Sequence, residues 1–147
     1  MTIGLDAAKA LIAAARKEAL ALNKPLTTVV VDSGGFTVAT ERMDGARPLT
    51  PSIALAKAYT AAIMQRPTHM LKAWSHSQPE FFAQVSRMGH QPIVATDGGF
   101  TIKQDGVLIG GLGIAGGTGE EDQAIAEAAL TACGYQLEFA DFNKVHK

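Results

Sequence analysis

The sequence predicts an α+β domain in which helices pack on an antiparallel sheet. Apolar and β-branched runs come in pairs joined by tight Gly-containing turns, the pattern of hairpins. Segments of 3.6-residue periodicity flank and separate those pairs. No linker or low-complexity stretch divides residues 1–147, so the chain reads as a single domain. The expected order is α-β-β-α-α-α-β-β-β-α, with five strands.

The first helix starts at Asp6 as N-cap and runs to Asn23. Its buried face is Ala8, Leu11, Ile12, Ala15, Ala19 and Leu22. Thr27-Thr28-Val29-Val30-Val31 is β-branched throughout and reads as a strand. Asp32-Ser33-Gly34-Gly35 turns the chain, and residues 36–40 return it. A second helix begins with Thr50 as cap and Pro51 in its first turn, and ends near Met64. Pro67-Thr68 opens a short helical segment toward Trp74. Ser77 and Glu80 suggest a capping box for a helix ending at Gly89. Residues 93–96 and 100–102 read as a second hairpin around Asp97-Gly98-Gly99. After the turn at residues 103–106, residues 107–115 form a glycine-rich last strand. Nine of the fifteen glycines lie between Gly98 and Gly119, which marks bends or close approach of another group. Thr118 and Glu121 make a capping box for the final helix, whose buried stripe is Ile125, Ala128, Ala129 and Ala132 and which Gly134 stops.

Composition excludes several classes. Thirteen basic residues against fourteen acidic give a net charge of −1. A nucleic-acid binder needs a basic surplus, so none is expected. The single Cys133 allows no internal disulfide or multi-cysteine zinc site, and it reads as buried packing. No apolar run approaches the roughly 18 residues of a membrane span, and the N-terminus has no secretory pattern. The expectation is a cytoplasmic protein with no membrane partner. No HExxH, tight His pair or Ser/His/Asp arrangement occurs, so no metal site is assigned. His69, His76, His90 and His146 remain, with Met70 and Met88 near three of them, and both residue types can ligate haem iron.

Lys57 is the most informative polar residue. It is the one charge on an otherwise apolar second helix, and an all-round apolar helix is buried. Its ammonium therefore snorkels to a rim, meets a carboxylate or receives an anionic ligand. Asp44, at a strand end with Arg42, and Glu121, at a helix start, are the preferred partners. The acidic turn Glu120-Glu121-Asp122 caps its own helix, satisfies Lys57 or holds a cation. Gly111, Gly113 and Gly116 match the spacing of a dinucleotide fingerprint, but no crossover strand or ribose-binding acid follows, and no P-loop Lys is present.

Six strings in this order resemble the GlcG/HbpS-like haem-binding family, to which the C-terminal domain of propanediol-utilisation corrinoid adenosyltransferases is related. They are Val31-Asp32-Ser33-Gly34-Gly35, Arg42-Met43-Asp44-Gly45, Ala56-Lys57-Ala58-Tyr59-Thr60-Ala61, Pro67-Thr68, Ile109-Gly110-Gly111-Leu112-Gly113-Ile114-Ala115-Gly116-Gly117 and Glu121-Asp122-Gln123-Ala124-Ile125-Ala126. The resemblance covers nearly the whole chain. It implies a five-stranded antiparallel sheet flanked by helices, assembly from dimer to octamer, and haem or corrinoid association in some members. Residues 68–89 depart from it: many relatives carry a Gly/Pro/Asn-rich loop where this chain reads as helices with Trp74, Phe81 and Phe82.

The resulting expectation is an oligomeric small-ligand-binding protein attached to a catabolic pathway, taking haem, a related cofactor or an organic acid. Arg42 and Lys57 would hold carboxylates beside Gly111 and Gly113, with Met64, Met70, Trp74, Phe81 and Phe82 as apolar walls. The rival is a cofactor-independent isomerase, lyase or hydrolase acting on a small carbonyl or hydroxy acid, with Lys57, Asp44 or Glu121 in acid–base roles. A third reading is a purely structural oligomerisation partner.

Overall fold

The computed structural model describes residues 1–137, so His146 lies outside the described residues. Four strands form one antiparallel sheet: β1 (Thr27–Asp32), β2 (Thr37–Arg42), β3 (Gly99–Gln104) and β4 (Val107–Ala115), in the order β2-β1-β4-β3. Helix α1 (Leu5–Ala21) precedes the sheet, α2 (Thr50–Met64) follows β2, and α5 (Gly119–Ala132) follows β4. A 3-10 turn (Thr68–Leu71), α3 (Lys72–Ser77) and α4 (Pro79–Val85) connect α2 to β3. Among the described residues, no helix is long and apolar enough to cross a membrane.

The pleat divides the molecule into three layers. Val30, Leu112 and Ile114 point to one face, where α1 and α5 cover them with Leu11, Ala15, Ile125 and Leu130. Val29, Val31 and Ala115 point to the other, beneath Ala54, Ala58 and Ala62 of α2. Small residues on both sides of that second contact let α2 lie close to the sheet. Gly111 and Gly113 belong to this face: a Cβ on either would strike a backbone carbonyl of α2, that of Ala58 or that of Ala54.

The expected strand at residues 93–96 is not formed. Residues 93–96 are β-branched enough to pair, but side chains take up the backbone groups of this stretch. Val94 N–H donates to Thr60 Oγ1 at 3.0 Å, Gly98 N–H to Gln123 Oε1 at 3.1 Å and Gly99 N–H to Thr68 Oγ1 at 3.0 Å. Ile93 is buried against Tyr59 and Leu71 instead of in a ladder.

Helix ends follow the expectation at α5 and differ elsewhere. Thr118 and Glu121 form a complete capping box, and Gly134 turns the chain at φ +86°. The buried stripe of α5 is Asp122, Ile125, Ala126, Ala129 and Leu130, so Ala128 is only partly covered, Ala132 is exposed and Cys133 is half-buried. On α1 the N-cap is Gly4 rather than Asp6, and Leu22, beyond the last turn, is exposed. Ser77 forms no box with Glu80: its hydroxyl donates to Trp74 O, and α4 ends at Val85. Thr50 lies inside α2, where its hydroxyl donates to Arg47 O at 2.7 Å and ties the preceding loop to the helix.

Candidate functional site

Lys57 is only 4% exposed and holds a buried ion pair. Its Nζ donates to Asp122 Oδ2 at 3.0 Å and to Ile114 O at 2.7 Å. Asp122 is 3% exposed, and its other oxygen accepts from Gly117 N at 2.9 Å. Burial pushes the Asp122 carboxyl above its usual range, although the Lys57 charge and the hydrogen bonds from Lys57, Gly117 and Gly116 pull the other way. The pair joins α2, the end of β4 and the first turn of α5.

This corrects the expected partners. Glu121 folds back on its own helix, where Oε1 accepts from Thr118 N at 2.9 Å and lies 3.6 Å from Lys24 Nζ. That backbone hydrogen bond lowers its carboxyl below the usual range, with the Lys24 charge adding to it. The capping box commits residue 121 to the cap, and one residue of helical rotation turns 122 toward the sheet. Asp122 sits three and four residues before Ile125 and Ala126, at the head of the buried stripe. That spacing was the available signal for it. Asp44 lies in a surface groove with Leu20, Lys24 and Met43 beside the end of α1, and Arg42 in a neighbouring one with Arg16, Glu41 and Met43. Lys57, Asp44 and Glu121 are therefore not brought together.

A cavity of about 410 Å³ opens over the ion pair, between the first half of α2 and the β4–α5 turn. Arg47, Leu49, Ile53, Thr96, Gly117 and Gly119 line it with Lys57 and Asp122. The arginine that shares a cavity with Lys57 is thus Arg47, not Arg42. Gly111 and Gly113 pack under the backbone of α2 and do not line this cavity.

The expected apolar walls lie at the other end of α2. Met64, Trp74 and Phe82 pack with Tyr59, Leu71 and Ile93 in a satellite core. Trp74 meets Phe82 edge-to-face at 5.0 Å and the half-exposed Phe81 at 6.0 Å. Met70 is half-buried on the 3-10 turn. Beside this core the β1–β2 turn meets the loop after α4. The Phe36 ring stacks on the His90 ring at 4.4 Å and 6°, and Tyr59 meets His90 edge-on at 4.6 Å. His90 Nε2 is 3.2 Å from Gly34 O. Phe36 is 60% exposed against this exposed imidazole, and Ile63 (38%), near Gly35, and Met88 (74%), two residues before His90, are exposed as well. Gly35, at φ +83°, and Gly89 are needed here because a Cβ on either would enter Tyr59. Nothing in the local sequence of either glycine points to the contact with Tyr59.

The histidines differ. His69 has a buried Nδ1 without a hydrogen-bond partner, and burial lowers its pKa, so the ring is held neutral. Among the described residues no group of three His, Cys, Asp or Glu side chains could hold a metal ion. Haem requires an axial donor, apolar surface for the ring and cations for its propionates. The Arg47–Lys57 cavity has cations but no His, Met, Cys or Tyr on its walls, so it does not fit haem as an axially ligated group. The region of His90 fits better: it has an exposed imidazole as a donor type with Phe36 stacked on it, and Met88 and Arg87, exposed two and three residues earlier in the chain, add a second donor type and a cation.

A family model described as haem degrading protein HbpS-like matches residues 3–131. An uncharacterized 15.0 kDa protein from the dhaT-dhaS intergenic region of Citrobacter freundii is 37% identical over 129 residues, 88% of this chain and 90% of that one. The corrinoid adenosyltransferase PduO of Citrobacter freundii is 33% identical over 132 residues, which are 90% of this chain but 39% of PduO. A crystal structure described as a PduOC:heme complex superposes with a TM-score of 0.83 at 31% identity, covering 93% of this chain and 99% of that one.

Proposed function

Because the chain belongs to the haem-degrading HbpS-like family, we propose that it is a haem-binding protein and that haem docks at the C-terminal end of α2, against His90. The observation that carries the reading is the exposed His90 ring, fixed by Phe36 on its face and Tyr59 at its edge. With Nε2–H donating to Gly34 O, Nδ1 keeps its lone pair on a ring already oriented by its neighbours. Phe36, Ile63 and Met88 offer apolar surface to a flat macrocycle, and Arg87 offers a cation to a propionate. Haem, when bound, supplies a redox-active iron, and the chain's part is to ligate it and cover one face. The related PduOC structure in complex with heme supports the reading.

Hemin titration followed by the Soret band tests it. The native chain is expected to shift the band at micromolar hemin. His90→Ala is expected to weaken binding about tenfold or more, equivalent to the loss of roughly 1.4 kcal/mol. His90 is exposed, so the variant keeps its fold. Unchanged binding by His90→Ala would remove the assignment.

The same reading includes assembly into a homo-oligomer, from dimer upward, that serves a small-molecule catabolic pathway. Leu20 and Leu22 are 65% and 48% exposed, apolar surface of the kind a second copy covers. Light scattering at micromolar concentration is expected to give at least a dimer of the 15.4 kDa chain, and a stable monomer mass contradicts it.

A further inference from the structure

We propose that the cavity over the Lys57–Asp122 pair is a second ligand site, separate from the haem surface, that takes a small monocarboxylate with a short apolar body.

Three features of the cavity point to that chemistry. The first is an idle guanidinium. Arg47 is exposed on the cavity wall, and its side chain has no carboxylate or other partner among the described residues. The other cations nearby are committed: Lys57 to Asp122, Lys72 to Asp97 at 2.8 Å and Lys24 to Glu121 at 3.6 Å. An Arg fork presents parallel N–H groups that match a carboxylate. Its backbone is set in place by the Thr50 hydroxyl, which donates to Arg47 O.

The second is the charge balance. Lys57 and Asp122 cancel, which leaves Arg47 as the net charge of the lining. That suits one negative charge. A dianionic phosphate would bring a second negative charge against Asp122 on the floor. Lys57 still contributes a donor. Two of its three N–H groups are used by Asp122 and Ile114 O, which leaves the third for a ligand, and Thr96, on the wall, has no hydroxyl partner among the described residues.

The third is the remaining wall. Leu49 (64% exposed) and Ile53 (38% exposed) leave apolar side chains in the open where they line the cavity. A ligand that fits both halves has a carboxylate at one end and a few carbons at the other. The volume of about 410 Å³ lies at the small end of ligand pockets, which run from about 300 to 1,000 Å³.

The test is calorimetric titration of the full chain with acetate, butyrate, hexanoate and benzoate, beside butyramide and inorganic phosphate, at fixed ionic strength. At least one of the longer acids is expected to bind at least tenfold more tightly than acetate, butyramide or phosphate. Arg47→Met removes the guanidinium and keeps the stem, and because Arg47 is an unpartnered surface side chain the variant is expected to melt as the native chain does. It should lose binding of the favoured acid by tenfold or more and leave hemin binding unchanged, whether or not hemin uses His90. Thr96→Val is the second variant, with a several-fold loss expected. No binding by any of the four acids at 10 mM, as an order of magnitude typical of weak sites, overturns the proposal. So does equal binding of butyramide or phosphate, or native affinity in Arg47→Met.

Discussion

Gly113→Val is expected to be among the most damaging single substitutions in the protein. A Cβ at Gly113 would fall on the Ala54 carbonyl oxygen, with Ala58 N at 2.7 Å and Ala54 C at 3.0 Å. Those atoms are helix backbone and cannot swing aside as a side-chain tip can. The whole of α2 would have to lift from β1 and β4, opening the contact of Ala54, Ala58 and Ala62 with Val29 and Val31. Overpacking of this kind costs about 3 kcal/mol or more, which at this chain length is a fall in Tm of about 10 °C. Gly111→Val meets the Ala58 carbonyl in the same way. Gly4→Ser is the control, because nothing lies within 4 Å of a Cβ there, its φ of −94° suits any residue and Ser is a favourable N-cap. Thermal melts of the three variants check this; a Gly113→Val melt within 2 °C of the native one, a shift on the order of 1 kcal/mol or less, contradicts the packing of α2.

The second large effect is expected from Lys57→Met. The substitution keeps most of the stem volume but leaves the Asp122 carboxylate buried without its counter-charge, at a cost of about 3–5 kcal/mol at neutral pH. The sign of the pH dependence follows from Asp122. Its folded pKa is already raised by burial, and without Lys57 it rises further. Between the unfolded and folded values the native state binds more protons, so stability falls as pH rises through that window. Acidification through the folded pKa should therefore recover stability in Lys57→Met. Lys57→Met combined with Asp122→Leu should return close to the native stability, because an apolar pair replaces a buried ionic one at little cost. Denaturant melts at several pH values read both effects. A single variant as stable as the double, and flat with pH, would mean that the pair is not an ion pair in solution.

The helices that were legible in the sequence carry their information locally. The periodicities of α1 and α5, the Thr118–Glu121 box and the Gly134 stop all lie within a few residues of what they determine. Residues 93–96 show where that fails. Their β-branched composition favours a strand, yet their backbone conformation is set by Thr60, and that of the following turn by Thr68 and Gln123, which no local pattern links to them. Lys57 was identifiable as a buried cation from the apolar helix around it. Its expected partner Glu121 lies one position from the actual one, because residue 121 is taken up by the cap and Asp122 heads the buried face of α5. Arg47 and the Phe36–His90 stack were not legible. The first depends on which loop lies over α2, and the second joins residues 54 apart.

The two proposed sites, one for haem and one for a small acid, lie at opposite ends of α2. Amide NMR of the labelled protein with ferric hemin tests this most directly, since paramagnetic iron broadens nearby signals. The expected result is loss of the signals of Gly34, Gly35, Phe36, Tyr59, Ile63 and residues 86–91, with those of Arg47, Ile53, Thr96 and Gly117 retained. Broadening centred on Arg47, Thr96 and Gly117, with the Phe36 and His90 region unaffected, would contradict it.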